Sequence, residues 1–167
     1  MVGGALLLMA AGCSSAKDVS TTIDVPPLPG SPTVPEGESP PELDLNMVAG
    51  GADLYSQFCA SCHGANLEGA PDWQVMNPDG SFLPPPQDST GHTWHHGDDL
   101  LVEIILEGSE FPQSRMPAFG DRLTQSEVLS ILEFITSTWG PQERAVQWEV
   151  TLRERVQSST PLEGSGS

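Results

Sequence analysis

The sequence has little positive charge and no long apolar run. Its 167 residues include six Lys and Arg against 23 Asp and Glu, which gives a formal net charge of −17, and Lys17 is the single lysine. A chain this acidic is not expected to bind nucleic acid or to adsorb to anionic lipid through its charge. The apolar run from Ala5 to Ala11 is far shorter than the roughly 20 residues of a transmembrane helix. A basic partner protein remains compatible with this composition.

Cysteine is also scarce, with three residues, and two of them form one motif. Cys59, Cys62 and His63 make up the sequence C-x-x-C-H, which is typical of covalent haem attachment. In this pattern the two thiols add to the haem vinyl groups and the imidazole binds the iron. The chain contains the motif once, which predicts one covalent haem c with its iron per chain. A disulfide or a thioredoxin-like dithiol is the alternative, but the expected βαβ pattern is not visible around the motif.

The third cysteine lies at the N-terminus, after the short apolar run. The segment from Leu8 to Cys13 resembles a bacterial lipobox, in which the cysteine is acylated and becomes the mature N-terminus. Residues 1–12 are therefore predicted to be a signal peptide. The resemblance implies an exported protein of the bacterial cell envelope, attached to the outer face of a membrane through a lipid on Cys13. An ordinary cleaved signal peptide is the alternative.

The segment that follows, residues 13–46, is predicted to be an extended tether. It has neither a helical nor a strand period, and seven prolines fall between Pro26 and Pro41. Such a segment cannot bury enough apolar surface to offset the entropy lost on ordering. The tether would hold the folded part away from the membrane.

The rest of the chain is predicted to be all-α, with a small helical domain at residues 47–140. Helices are expected from Met47 to His63, from Asp98 to Glu107 and from Thr124 onward until Gly140, because apolar residues recur at three- and four-residue steps. Residues 141–167 are predicted to be a C-terminal helix, to Val156, and a disordered tail from Ser158.

Each predicted helix has an apolar face and recognisable end signals. Asp98 is expected to cap the second helix and Gly108 to end it, and Thr124 with Glu127 forms a capping box for the third. The predicted faces are, in chain order, Val48, Gly51, Tyr55, Phe58 and Cys62; Leu101, Ile104 and Ile105; Val128, Ile131, Leu132, Ile135 and Trp139; and Ala145, Trp148 and Leu152.

A haem iron that only carries electrons needs a second protein ligand opposite the histidine. Among the methionines, Met76 and Met116 are the candidates that lie after the motif. Met116 precedes Pro117 in a stiff non-helical loop just before the third helix, and it is the predicted ligand. His95 is the less favoured alternative.

The haem motif, the downstream sequence Met116 to Gly120 and the closing helix together resemble class I cytochrome c, over residues 47–140. The resemblance implies a class I cytochrome c fold around the haem, with the iron between His63 and Met116. It also implies that the first and last helices of that domain cross at Gly51 and Phe134. A proline carbonyl that accepts the imidazole N–H would correspond to Pro71.

Three histidines and a tryptophan lie close together after this point. His92, Trp94, His95 and His96 fall within five residues. Trp94 and His95 are predicted to contact the haem, by hydrogen bonds to its propionates. A second metal site for copper or zinc, built from the three histidines, is the alternative.

The sequence therefore predicts a one-electron carrier rather than an enzyme, exchanging electrons with redox protein partners. A haem enzyme or gas sensor with a labile sixth ligand is the strongest rival, and a metal-handling module that uses the histidines is another.

Overall fold

The structure, a computed structural model, describes residues 38–159, and within this range it contains helices and no strands. The elements are α1 (Leu45–Phe58), α2 (Ala60–His63), a 3₁₀ helix (Thr93–His95), α3 (Asp98–Glu107), α4 (Gln125–Ser137) and α5 (Pro141–Ser159). This confirms the predicted all-α class. None of these helices is both long and apolar enough to cross a membrane. The predicted signal peptide, Cys13, most of the tether and residues 160–167 of the tail lie outside the described residues. The prediction that the last helix ends at Val156 and that disorder begins at Ser158 is wrong for Ser158 and Ser159, which belong to α5.

Helices α1 and α4 cross at a glycine, as predicted. Gly51 is buried, and a Cβ added there would overlap the backbone oxygen of Ser130 and lie 3.0 Å from the Cβ of Phe134. One turn later, the ring of Tyr55 packs against Phe134 with 5.3 Å between centroids. The two backbones can approach this closely because Gly51 has no side chain.

Helix α1 begins two residues earlier than predicted and ends at Phe58, directly before the haem motif. The side chain of Asp44 accepts hydrogen bonds from the backbone N–H groups of Asn46 and Met47, which caps the helix. At the other end, Cys59 separates α1 from the single turn of α2, which carries Cys62 and His63. The expected continuous helix is therefore two helices with a break at Cys59.

Helix α4 has the predicted capping box and apolar face. Thr124 accepts from the backbone N–H of Glu127, and the Glu127 carboxylate accepts from Thr124 N–H at 2.8 Å. The buried side chains of α1, α3, α4 and the intervening loops form one core. Its members are Tyr55, Leu67, Leu101, Val102, Ile105, Phe119, Leu123, Val128, Ile131, Leu132, Ile135 and Trp139.

Helix α3 has its predicted length but a different cap. Gly97, with extended backbone, is the N-cap, and Asp98 is the first helical residue. The prediction that Asp98 caps α3 is wrong, because its carboxylate accepts from Gln147 Nε2 at 2.7 Å instead. Leu101, Val102 and Ile105 are buried, whereas Ile104 is only half-buried.

Helix α5 packs on the start of α3 through polar side chains. Gln147 and Thr151 are its buried residues, and Thr151 Oγ1 accepts from the backbone N–H of Asp98 at 3.0 Å. The predicted apolar face is wrong for Ala145, which is exposed, while Trp148 and Leu152 are half-buried. Hydrogen bonds, rather than an apolar stripe, orient this helix.

Candidate functional site

The two motif cysteines lie on one turn of backbone. Cys62 N–H donates to Cys59 O at 3.1 Å, and His63 N–H donates to the same oxygen at 2.9 Å. Neither thiol is in a disulfide. Burial, with a smaller contribution from Cys62, raises the pKa of Cys59 to about 11. This arrangement puts two free sulfurs beside the same histidine, which suits a double attachment to one planar group.

His63 is buried and held by one ring nitrogen. It is 7% exposed, and its Nδ1 lies 2.8 Å from the carbonyl oxygen of Pro85. Burial lowers the pKa of His63, although the bond to Pro85 opposes the shift. Burial therefore favours the neutral form of the ring, which is the form that binds metals. With Nδ1–H donating to Pro85, Nε2 is the nitrogen left to bind iron.

The prediction that Pro71 supplies this carbonyl is wrong. Pro71 is exposed, and the acceptor is Pro85. The reason lies in the turn after the motif, where Leu67 and Gly69 both have positive φ, 64° and 68°. That turn lets Ala70 N–H donate to Pro84 O at 2.9 Å, and a side chain at Gly69 would collide with the Pro85–Pro86 backbone. The proline-rich segment is thereby brought alongside His63.

Gln87 also contacts His63, and no sequence pattern predicted this contact. Its Nε2 lies 3.0 Å from His63 Nδ1, and its Oε1 accepts from Thr93 Oγ1 at 2.7 Å. The indole N–H of Trp139 donates to the backbone oxygen of Gln87 at 2.8 Å. A glutamine 24 residues after the histidine belongs to no local motif, so only the fold reveals the contact.

Met116 lies in a loop fastened to the end of α3. Ser109 N–H donates to Met116 O at 3.4 Å, and Met116 N–H donates to Ser114 Oγ at 3.1 Å. Further along, Phe119 N–H donates to the carbonyl oxygen of Ile105 at 3.0 Å. Hydrogen bonds therefore fix the loop on both sides of Met116.

Three of the predicted site residues, from three separate segments, pack against the same hydrophobic core. They are Cys59, Trp94 and Met116, all partly buried. The Trp94 indole N–H donates to Gly91 O at 3.1 Å, and the ring of His95 stacks edge-on with 3.7 Å between centroids. His95 is exposed to solvent. The propionate contacts proposed for Trp94 and His95 stay predictions.

The other two histidines of the cluster pack against aromatic rings. His92 stacks on Trp73 with 5.4 Å between centroids, and His96 meets His92 edge-on at 5.7 Å. Burial and the neighbouring histidines lower the pKa of His92. Within residues 38–159, no group of three His, Cys, Asp or Glu side chains is arranged to hold a metal ion. The alternative of a second metal site on His92, His95 and His96 therefore has no geometric support.

Comparison with known families gives a match over the helical domain. The family described as cytochrome c oxidase, cbb3-type, subunit III matches residues 46–135, more than half of the chain. The chain belongs to this family. It is a c-type cytochrome domain, and the cofactor of such a domain is covalent haem c with its iron. No solved structure matches the chain with significance.

Curated relatives match the cytochrome domain as part of longer proteins. The gluconate 2-dehydrogenase cytochrome c subunit of Pantoea cypripedii is 30% identical over 105 residues, which are 57% of this chain and 21% of the relative. The cbb3-type cytochrome c oxidase subunit CcoP of Azospirillum sp. (strain B510) is 30% identical over 99 residues, 58% of this chain and 30% of the relative. The cbb3-type cytochrome c oxidase subunit FixPc of Rhizobium leguminosarum bv. viciae is 29% identical over 133 residues, which are 75% of this chain and 40% of the relative. The chain thus spans less than half the length of these relatives.

The described residues fit this cofactor. Two unbridged thiols, a buried imidazole held through Nδ1, and a thioether from a loop on the same core are groups of the kind that hold a covalent haem. The haem supplies the one-electron chemistry, because its iron alternates between ferric and ferrous states. The domain transfers electrons, as its relationship to cytochrome subunits implies.

Proposed function

We propose that this cytochrome domain is a one-electron carrier in which His63 and Met116 bind the two faces of the haem iron and Cys59 and Cys62 attach the porphyrin. With these two residues bound to the iron, the protein would leave no position there for a substrate. Electrons then enter and leave without a bound substrate, and the domain exchanges them with redox protein partners.

The arrangement of His63 carries this proposal. Its ring is buried, and its Nδ1–H donates to Pro85 O at 2.8 Å, so Nε2 keeps its lone pair in a fixed direction. Such a bond also increases the electron donation of a histidine ligand. Cys59, on the preceding turn of backbone, would attach the porphyrin close to this histidine.

The loop of Met116 supports the second half of the proposal. The residue is held by hydrogen bonds to Ser109 and Ser114. The ring of the following Pro117 fixes its φ angle, which stiffens the loop. A thioether ligand held by such a loop raises the reduction potential of the iron.

The cellular setting is proposed from the N-terminal sequence. Cys13 would be acylated after removal of residues 1–12, which would hold the exported domain at the outer face of a bacterial membrane, on the periplasmic or cell-surface side. The relatives named above are subunits of an oxidase and a dehydrogenase, which supports partners of the same kind, a redox protein that donates electrons and another that accepts them.

The first prediction concerns the sixth ligand. Met116→Ala in the holoprotein is expected to abolish the methionine-to-iron charge-transfer band and to lower the reduction potential. We expect a shift on the order of 100 mV or more, because axial ligands tune haem potentials over about 0.8 V. Optical spectroelectrochemistry measures both quantities. Met76→Ala is the matched control, since Met76 lies in another loop and is 48% exposed.

An unchanged ferric spectrum in Met116→Ala would rule out Met116 as the ligand. High-spin ferric iron in the unsubstituted protein, or rapid cyanide binding to it, would favour a haem enzyme or gas sensor with an open sixth position. Loss of the band in Met76→Ala alone would assign the ligand to Met76.

A further inference from the structure

The side chain of Gln87 contacts the one nitrogen of His63 that does not bind iron in the proposed site. Its Nε2 is 3.0 Å from Nδ1, and Pro85 O is 2.8 Å from the same Nδ1. On the other side of the amide, Oε1 accepts from Thr93 Oγ1 at 2.7 Å. The amide therefore links the histidine to the 3₁₀ helix at Thr93–His95.

Iron binding decides which end of this amide can face the ring. A neutral imidazole that binds iron through Nε2 carries its proton on Nδ1. The Gln87 Nε2 carries two protons and accepts none, so an N–H group would then face another N–H group. That contact is repulsive, because both groups are donors of positive polarity.

Rotation of the Gln87 amide by about 180° about its last torsion removes the repulsive contact. The two ends of a glutamine amide have nearly the same shape, and its last torsion is broad and roughly two-fold. After the turn, Oε1 accepts from His63 Nδ1–H, and Nε2 donates to Thr93 Oγ1, whose hydroxyl can accept as well as donate. The Nδ1–H group of His63 then faces an acceptor instead of a donor, and the amide keeps a hydrogen bond to Thr93.

We propose that Gln87 is a positioning residue for the haem of this cytochrome, in which its amide oxygen is the second acceptor, beside Pro85 O, for the Nδ1 proton of His63. This inference rests on the proposed function, in which His63 binds the iron. Two acceptors make the imidazole a stronger electron donor than one, which stabilises ferric over ferrous iron and lowers the reduction potential.

The surroundings of Gln87 keep it in place for this role. Its backbone N–H donates to Leu67 O at 2.8 Å, and its backbone oxygen accepts from the Trp139 indole N–H at 2.8 Å. Both main-chain groups are thus fixed by partners in other segments. The amide can exchange its ends between His63 and Thr93 without moving the backbone.

The test compares Gln87→Leu with the unsubstituted holoprotein by spectroelectrochemistry. Loss of the second acceptor is expected to shift the reduction equilibrium toward ferrous iron at least about threefold, a rise in potential of about 28 mV at about 59 mV per factor of ten. Gln147→Leu is the matched control, because Gln147 is also a hydrogen-bonded amide and its partners, Asp98 and Thr151, have no hydrogen bond to His63. The control is expected to keep the original potential.

The sign of the shift separates the two amide orientations. If an N–H group of Gln87 faced the imidazole, its removal would strengthen the donor and lower the potential, so a fall in Gln87→Leu overturns the proposal. An unchanged potential in Gln87→Leu overturns it as well. A low-spin spectrum with the methionine band in the unsubstituted protein shows that the proposed function stands in either case, and absence of that band shows instead that the proposed function has failed.

A second measurement needs no variant. Ferrous low-spin haem is diamagnetic, so proton NMR of the reduced, unsubstituted protein can resolve the His63 Nδ1–H and the Gln87 side-chain amide protons. We expect strong cross-peaks from these amide protons to Thr93 and weak ones to Nδ1–H. Strong cross-peaks to Nδ1–H would overturn the proposal even if Gln87→Leu did not fold.

Discussion

At the scale of single residues, the imidazole of His63 is held by Pro85 and Gln87, which lie 22 and 24 residues further along the chain. The haem motif could be read directly because Cys59, Cys62 and His63 lie within five residues. The acceptors of the His63 Nδ1 proton could not be read, because Pro85 and Gln87 reach it only after a turn with positive φ at Leu67 and Gly69 folds the chain back. Residue counting from a family pattern therefore pointed to the wrong proline.

Gly51 offers a residue-scale prediction with a neighbouring control. Gly51→Ala is expected to destabilise the holoprotein by about 1–3 kcal/mol, because the added Cβ would overlap Ser130 O at the crossing of α1 and α4. Gly50→Ala, in the same helix with open space around it, should instead stabilise by about 0.5–1 kcal/mol. Denaturant unfolding monitored by circular dichroism measures both. Equal effects of the two substitutions would contradict the close crossing.

At the scale of elements, apolar periodicity located α3 and α4 well. It misjudged α5, because the residues that α5 buries are Gln147 and Thr151, whose burial depends on hydrogen bonds to Asp98. It also placed the start of α1 two residues late, since Asp44 looked like one more acidic residue of a proline-rich segment and is in fact the cap. Polar residues that are buried because of hydrogen bonds to distant partners do not contribute to the apolar periodicity of the sequence.

The contact between α5 and α3 predicts a pH effect. Glu154 lies against Gly97, and burial, with Asp99 and Asp98, raises its pKa, although the backbone N–H groups of Gly97 and Leu100 lower it. Below its ordinary pKa the carboxyl is neutral in both folded and unfolded chains. As the pH rises through the raised folded value, the folded chain must ionise a partly buried carboxyl, so stability is lost.

Glu154→Gln should therefore increase the free energy of unfolding more at about pH 7.5 than at about pH 4. The difference should stay under about 1 kcal/mol, because the group is partly exposed to solvent. Thermal or denaturant melts of both proteins at the two pH values measure it. Glu103→Gln, on an exposed residue of α3, controls for the loss of one negative charge. A larger stabilising effect at the lower pH would contradict the assignment.

At the scale of the whole molecule, the size of the domain bears on its stability and the net charge bears on its encounters with partners. A helical domain of this length is near the limit at which one apolar core suffices, and a covalently attached haem adds both apolar bulk and a cross-link. The formal charge of −17 acts on encounters with charged partners over roughly a Debye length, about 8 Å at physiological salt. Length and net charge follow directly from the composition, because neither depends on which residues are in contact.

The double variant Cys59→Ser, Cys62→Ser tests the dependence on haem. Without the two thioether bonds the domain is expected to be largely unfolded and to melt without a cooperative transition, in circular dichroism under conditions where the holoprotein melts cooperatively. The single variant Cys62→Ser, which keeps one attachment, should show intermediate behaviour. A native-like cooperative melt of the double variant without haem would contradict the expectation.

The bond from Trp139 to the backbone of Gln87 has a consequence for how the domain comes apart. The tryptophan lies two residues beyond α4, and the glutamine lies two residues after Pro85, whose carbonyl oxygen holds the ring of His63. Detachment of the residues that follow the last core helix breaks one of the bonds that hold the segment that orients this imidazole. Fraying at that end is therefore expected to weaken the support of the histidine, which couples the opening of the two segments.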